Sequence, residues 1–251
     1  MAENYVQGNK LYVAGKDLSS SWTAISLMAG REKIDWTKGS DTTRVAKMGL
    51  LTGALEVELV QDFADDGLDE KLEAVTSLVD APVIIGPPGS TSGDENTLGW
   101  ALRVSAGDYS VFSDAKIGDR VNAAISALAA RAPGIVRGTF MHAGGTARTA
   151  TGNGTAMQLG AVSADEKVYA CIMCLSASAG DTLDVVLASD DEEAFGGSPE
   201  TQGTFAQIDT TGDYEWIEID GAITDDWWRL QWTIAGDGSE SFNFCVLMAI
   251  R

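Results

Sequence analysis

The sequence has little of the chemistry that many enzymes use: 1 histidine, 3 cysteines and 5 prolines among 251 residues. Because His142 is the only histidine, Ser-His-Asp or Cys-His catalysis would have to run through it. His142 stands beside a run of Gly and Thr, so we expect a solvated linker residue instead. An odd number of cysteines argues against a disulfide framework. We therefore expect no catalytic residue, and a protein that is not an enzyme.

Cys171 and Cys174 have the C-x-x-C spacing that can serve redox chemistry or half of a metal site. The surrounding run is typical of a strand, in which positions i and i+3 point to opposite faces. The sequence has no second pair of this spacing. We therefore expect buried thiols that act as small hydrophobic side chains, with neither a metal nor a cofactor bound.

Long apolar runs are also missing, as is an N-terminal segment with a basic start and an apolar core. The first absence argues against a membrane-spanning helix and the second against a signal peptide. We expect a protein made in the cytoplasm, with no membrane partner.

Positive charge is scarce: 17 Lys and Arg stand against 37 Asp and Glu, a formal net charge of −20. Residues 1–140 carry 13 basic and 19 acidic residues, and residues 141–251 carry 4 and 18. A surface this acidic repels phosphate, which disfavours backbone binding to nucleic acid and binding to anionic membranes.

The chain ends in the clearest pattern of the sequence. Residues 227–234 and 242–250 alternate in aromatic and branched side chains around a Gly-Asp-Gly turn, which predicts an antiparallel hairpin. Trp228 and Trp232 share a face with Leu230 and Ile234 and should be core. Trp227 shares the other face with Arg229, so these two are the candidates for an exposed ligand face.

The first half predicts strands with one amphipathic helix. Residues 55–59 alternate cleanly, with Glu56 and Glu58 on the wet face. Leu68, Leu72 and Val75 lie at helical spacing after this strand. Strands are predicted at 82–85 and 98–104, and for 121–130 a strand is favoured over a helix.

These patterns predict a mainly β protein with two domains. Residues 1–141 form the first, residues 142–154 a Gly/Thr-rich linker, and residues 155–251 a C-terminal β-sandwich of jelly-roll or immunoglobulin-like type. The acidic runs at 190–193 and 225–226 do not follow a calcium-loop spacing, so we expect solvated turns.

The first half resembles the major tail (tail tube) proteins of long-tailed bacteriophages. The resemblance rests on the turn at Gly15–Leu18, the alternating strand and helix that follow, Gly107-Asp108-Tyr109, and residues 116–121. It covers roughly residues 5–140. The second half is similar to β-sandwich modules appended to phage structural proteins, through residues 182–191 and 221–230.

The resemblance implies a tail-tube-like sandwich or barrel with one flanking helix that self-assembles into rings. Six subunits per ring are expected, or three if residues 145–251 form a second tube-like domain. Stacked rings would form a conduit through which DNA passes without specific binding. Other partners would be the tape measure and tail terminator proteins, and the location would be the virion tail.

In this family a long loop contacts the next ring, and its implied position here is 29–48. The interface candidates are Arg31, Lys33, Asp35, Trp36, Lys38 and Arg44. An ordinary surface loop is the alternative. A second hypothesis for the whole chain is a virion or surface module that recognises carbohydrate through Trp227 of the C-terminal sandwich.

Overall fold

Strands dominate the fold, as predicted. The computed structural model describes residues 8–38, 40, 42–65, 67–73, 79–87, 93–113, 116–117, 119–197 and 199–251. The elements in chain order are β1 (Leu11–Val13), β2 (Lys16–Asp17), β3 (Trp22–Asp35), β4 (Ala46–Val60), α1 (Leu68–Glu73), β5 (Ala81–Ile85), β6 (Leu98–Ser113), β7 (Asn122–Ala129), β8 (Ile135–His142), β9 (Gly152–Asn153), β10 (Met157–Gln158), β11 (Lys167–Ala177), β12 (Thr182–Asp190), β13 (Glu200–Thr204), β14 (Tyr214–Asp220), β15 (Trp227–Ala235) and β16 (Phe242–Ile250).

The chain forms two compact units that are not the predicted halves. The sandwich unit contains the chain up to Ser20, Pro82–Ala101 and Val136–Arg251, and the hairpin unit contains Ser21–Ala81 and Leu102–Ile135. The division differs from the predicted 1–141 and 155–251 because the chain leaves the sandwich unit twice and returns to it.

The predicted linker contributes to the sandwich unit. Arg148 exchanges backbone hydrogen bonds with Phe242, and β9 pairs with β15 through Gly152. The Tyr12 hydroxyl donates a hydrogen bond of 3.1 Å to the carbonyl of Gly144. Residues 142–154 therefore have defined partners along their length.

Two sheets pack in the sandwich unit. One has the order β14-β11-β16-β8-β6-β5-β1-β2, with β6 contributing its first residues, and the other has the order β10-β15-β12-β13 with β9 beside β15. A core shared by both sheets includes Ile172, Val246, Val185 and Trp228. This arrangement is a β-sandwich, because each sheet buries one face against the other.

The first sheet is also buried on its second face. Cys171, Met173, Cys245 and Leu247 lie there with Phe140 in a separate apolar cluster. Strands β11 and β16 therefore lack the alternation of a half-exposed strand, and their sequences are almost continuously apolar. Cys171 and Cys174 lie on opposite faces, as predicted, and both are buried.

The hairpin unit contains a four-stranded antiparallel sheet with the order β3-β4-β7-β6. One face is buried and carries Leu55, Val57 and Leu59 of β4 with Ala123 and Ile125 of β7. The strand prediction at 121–130 is confirmed by β7. Residues 29–48 were predicted as a loop, and this prediction is wrong, because they include the second half of β3 and the first residues of β4.

Side-chain hydrogen bonds of Gln61 connect helix α1 to the buried face of this sheet. The Gln61 amide nitrogen donates to Asp69 Oδ1 at 3.0 Å and to the Tyr109 hydroxyl at 2.8 Å. Leu68 and Leu72 are buried, as their spacing predicts. The remainder of the predicted helical stripe, at 74–78, lies outside the described residues.

Gly138 of β8 lies so close to β16 that a side chain has no room, which yields a stability prediction. A Cβ there would lie against the carbonyl oxygen of Met248 and 2.8 Å from Cδ2 of Leu247. Because overpacking a core costs about 1–3 kcal/mol, we expect Gly138→Ala to lower the free energy of unfolding by about 3 kcal/mol. Urea unfolding with an unchanged m-value measures this.

Gly196 supplies the matched control. A Cβ at Gly196 would meet nothing within 4 Å, so Gly196→Ala should change the free energy of unfolding by less than about 0.5 kcal/mol. Equal midpoints for the two variants would contradict the packing described for β8 and β16.

Candidate functional site

The exposed face of the hairpin unit's sheet is the most distinctive surface of the chain. Its register aligns Ser26, Glu56, Ser126 and Asp108 in one cross-strand row. The adjacent row contains Ala24, Glu58, Ala124 and Ser110. Small and acidic side chains thus fill two successive rows that cross all four strands.

These rows line a shallow groove of about 370 Å³. The groove contains three carboxylates, Glu56, Glu58 and Asp108, and no basic residue among its described lining. Glu56 and Glu58 are exposed, as their alternation predicts. A face of this composition repels polyanions and offers few side chains long enough to grip a ligand.

Among the described residues of the hairpin unit, both edges of the same sheet are open. Strand β3 pairs only with β4. From Val104 onward, β6 pairs with β7, and no described strand of the hairpin unit lies on its other side. Strand β3 runs for 14 residues. A long unpaired edge presents a row of backbone donors and acceptors to which another strand can add.

Beyond the groove, β3 and β4 continue as a two-stranded ribbon. Every described residue from Met28 to Met48 is exposed. The apolar ones include Met28 at 50%, Trp36 at 51% and Met48 at 62% exposure. Because an isolated two-stranded hairpin is marginally stable in water, a ribbon with both faces exposed is an element that a partner would complete.

The end of the ribbon has an ordered base. The Trp36 amide donates to the Val45 carbonyl at 2.8 Å, and the Val45 amide donates to Thr37 Oγ1 at 3.0 Å. Hydrogen bonds from the side chain and backbone of Thr37 lower the pKa of Asp35 below its usual value. The Lys47 ammonium lies 4.2 Å from the centre of the Trp36 ring, a cation–π geometry.

All six interface candidates lie on this ribbon. Arg31, Lys33 and Asp35 belong to β3, whereas Trp36, Lys38 and Arg44 lie in the connection to β4. Each of the six is exposed. The predicted loop is therefore an extended hairpin that holds these side chains along a defined direction, and their role in an interface stays a prediction.

The predicted ligand face of the C-terminal sandwich is less open. Trp228 and Trp232 are buried, as predicted, whereas Trp227 is half-buried and lies opposite Asp190. The Arg229 guanidinium lies 4.0 Å from the centre of the Phe195 ring. Asp190 is buried rather than solvated, which corrects that part of the turn prediction. Carbohydrate recognition by Trp227 stays a prediction.

The prediction that His142 is solvated is wrong. His142 has no exposed surface and stacks on Phe244 at 4.1 Å, with an interplanar angle of 11°. Its Nδ1 lies 2.8 Å from the Phe244 carbonyl, and Arg148 Nε donates to its Nε2 at 2.8 Å. A carbonyl only accepts and an arginine only donates, so the imidazole is neutral with its proton on Nδ1.

The network around His142 is closed by an ion pair. Arg148 contacts Glu95 Oε1 at 3.2 Å, and Thr155 Oγ1 donates to Glu95 Oε2 at 2.9 Å. These hydrogen bonds connect the buried His142 through Arg148 to Glu95 and Thr155, which lie nearer the surface of the sandwich unit. Sequence reasoning missed the network because its members are brought together by contacts between distant residues, 102 positions apart for His142 and Phe244.

The described residues show no other constellation of this kind. Across them, no group of three or more His, Cys, Asp or Glu side chains is placed to hold a metal ion. Burial raises the pKa of the Cys171, Cys174 and Cys245 thiols. No helix in the described ranges has the length and apolar character to cross a membrane.

Neither the family models nor the curated proteins include a match to this sequence. Among solved structures, the sheath/tube terminator of the extracellular contractile injection system PVC is 12% identical, with a TM-score of 0.41, over 55% of this chain and 97% of that chain. A tail chain of a gene transfer agent particle is 13% identical with a TM-score of 0.38, over 52% and 96%. The SPP1 Dit protein is 10% identical with a TM-score of 0.36, over 97% and 99%. All these TM-scores lie below 0.5, so the likenesses carry no conclusion about this chain.

The buried histidine generates a prediction about acid stability. Burial is the main cause that lowers the pKa of His142 to about 4. An unfolded histidine titrates near 6.5, so the unfolded chain takes up the proton first as the pH falls. The contribution of His142 to the free energy of unfolding is therefore complete above pH 6.5. It falls by about 3 kcal/mol between pH 6.5 and pH 4.

His142→Gln isolates this contribution, because glutamine retains an acceptor for Arg148 and does not titrate. We expect the wild type to lose about 3 kcal/mol more than the variant between pH 7 and pH 4. Urea unfolding at each pH measures the difference. Parallel pH profiles for the two proteins would show that His142 is not buried in its neutral form.

Proposed function

We propose that the chain is a structural virion protein that self-assembles into rings, and that stacked rings form the tube of a phage tail through which DNA passes. The observation that supports this most directly is the hairpin unit's sheet, with open edges, one exposed acidic face and a ribbon that needs a partner. The sequence resemblance to tail tube proteins points to the same function. The proposed location is the virion tail.

Ring closure follows from the open edges. If β3 of one copy pairs with the outer edge of β6 of the next, the sheets join into a closed barrel, which removes the edges. Each copy supplies four strands. Barrels of about 8 strands are filled by side chains, whereas about 16–18 strands leave an aqueous channel. Six copies would give about 24 strands, which is enough for an aqueous channel, whereas three copies would give only about 12. We therefore propose a hexamer.

The exposed face would then line the channel. Glu56, Glu58 and Asp108 would repel the phosphates of a passing duplex, which keeps it from adhering to the wall. Alanine and serine between them keep the wall smooth, because short side chains do not project into the channel. The proposed role needs no catalysis. Tape measure and terminator proteins are the proposed partners in addition to the chain itself.

Electron microscopy of the purified full chain at rising concentration tests the assembly. We expect rings with a central channel and sixfold symmetry that stack into tubes. Rings that remain single would support ring formation and restrict the protein to one end of a tail. Particles that remain monomeric at every concentration in both microscopy and analytical ultracentrifugation would contradict self-assembly.

A charge-reversal variant tests the channel wall. Assembled wild-type rings should not retard a short DNA duplex, whereas Glu56→Lys with Glu58→Lys should bind it with an affinity that falls steeply as salt rises. Glu192→Lys with Glu193→Lys is the matched control, since it makes the same charge change at exposed positions of the sandwich unit. Equal DNA binding by the two variants would show that the acidic rows do not line the channel.

A further inference from the structure

The two ends of the hairpin unit's sheet carry opposite charge. Residues 31–47, at the ribbon, contain five basic and three acidic residues, a net charge of +2. Residues 61–73, which follow β4, contain one basic and six acidic residues, a net charge of −5. The ribbon is thus a local exception within a chain whose net charge is −20.

The acidic end also exposes an aromatic pair. Phe63 is 55% exposed and Phe112 is 63% exposed, and their ring centres lie 5.8 Å apart. Asp62 and Asp65 beside them are exposed as well. We name this set the aromatic-acidic patch. Exposed apolar side chains bordered by charge are the usual composition of a protein-binding site.

The register places the ribbon and this patch at opposite ends of one sheet. Strand β4 begins at the ribbon and ends at Val60, and Val60 aligns with Asn122 of β7. Asn122 in turn aligns with Ser113, next to Phe112. At about 3.3 Å per residue, the 15 residues of β4 separate the two ends by about 50 Å. A single copy therefore cannot bring the two surfaces together.

We propose that the ribbon end of one copy, with Trp36 and its neighbouring lysines and arginines, docks on the aromatic-acidic patch of a second copy in the next ring. This inference rests on the proposed function, since it names the surface that receives the ribbon in a stacked tube. Two complementary surfaces at opposite ends of one molecule form a head-to-tail contact, which repeats without closing and so propagates along an axis.

The chemistry of the two surfaces matches. Trp36 is half-exposed with Lys47 over its ring, so the exposed part of the indole is available to the apolar pair. The lysines and arginines around Trp36 would lie against the exposed aspartates of the patch, so that each charge meets one of opposite sign. Complementary charge directs such an encounter and selects against other orientations, and apolar contact supplies affinity.

Cysteine cross-linking between full-length chains tests the contact. Thr42→Cys places a thiol in the exposed end of the ribbon, and Ala64→Cys places one in the patch, where Ala64 is exposed. The native cysteines are buried and do not compete. When the two variants are mixed and mildly oxidised, we expect the mixed disulfide dimer to exceed either homodimer several-fold. Homodimers alone, or no dimer, would overturn the proposal.

Control variants separate specific docking from random collision. Ser239→Cys exposes a thiol in a turn of the sandwich unit and should give no enrichment with Thr42→Cys. Adding Lys33→Glu to the ribbon variant should lower the yield several-fold, and Asp65→Lys in the patch variant should restore it. Equal yields from all combinations would show that charge complementarity plays no part and would also overturn the proposal.

The same sample distinguishes this proposal from ring formation. Cross-linked mixed dimers without rings in the microscope would retain the docking and remove the ring. Rings that form while the mixed disulfide does not would retain the proposed function and overturn the docking on Phe63 and Phe112.

Discussion

The register between β4 and its neighbours is the constraint on which the surfaces of the hairpin unit depend. Leu55, Val57 and Leu59 are buried, so Glu56 and Glu58 between them are held in water. A slip of one residue would bury both glutamates, and burying unpaired carboxylates is costly. Because β7 and β6 continue the same rows, one register sets the acidic face and places the ribbon and the aromatic-acidic patch at opposite ends.

This arrangement also bears on how copies could meet. Chains with a net charge of −20 repel one another at distances up to about a Debye length, about 8 Å at physiological salt. Contact is favoured only where the sign of the charge reverses, and the ribbon is such a place. High negative charge and long open edges are therefore compatible. The charge opposes indiscriminate edge pairing, and the proposed docking of the ribbon would allow one orientation.

The sequence predicted the elements whose evidence is local. Residues 227–234 and 242–250 were predicted as strands within one residue of β15 and β16, and the alternation of 227–234 reflects a strand with one buried face. The predicted hairpin between them is wrong, because β15 and β16 lie in different sheets and each pairs with other strands. The ribbon has no such alternation, since both of its faces are exposed, and residues 29–48 were predicted as a loop. His142 was misplaced for a different reason: its burial comes from Phe244 and Arg148, which only the folded chain brings together. The compact units escaped prediction because the chain leaves and re-enters the sandwich unit.

The buried network in the sandwich unit contrasts with the exposed surfaces. His142, Arg148 and Glu95 are the residue types from which a catalytic site could be built, yet each uses its polar atoms on another member or on Phe244 and Thr155. A catalytic imidazole needs a nitrogen open to substrate, whereas both nitrogens of His142 are hydrogen-bonded within the protein. The network therefore connects residues that are distant in the sequence, from Glu95 to Phe244, and its role is structural. The exposed groups of the hairpin unit, with its open edges and its ribbon, remain available for contact with another chain, as the proposed assembly requires.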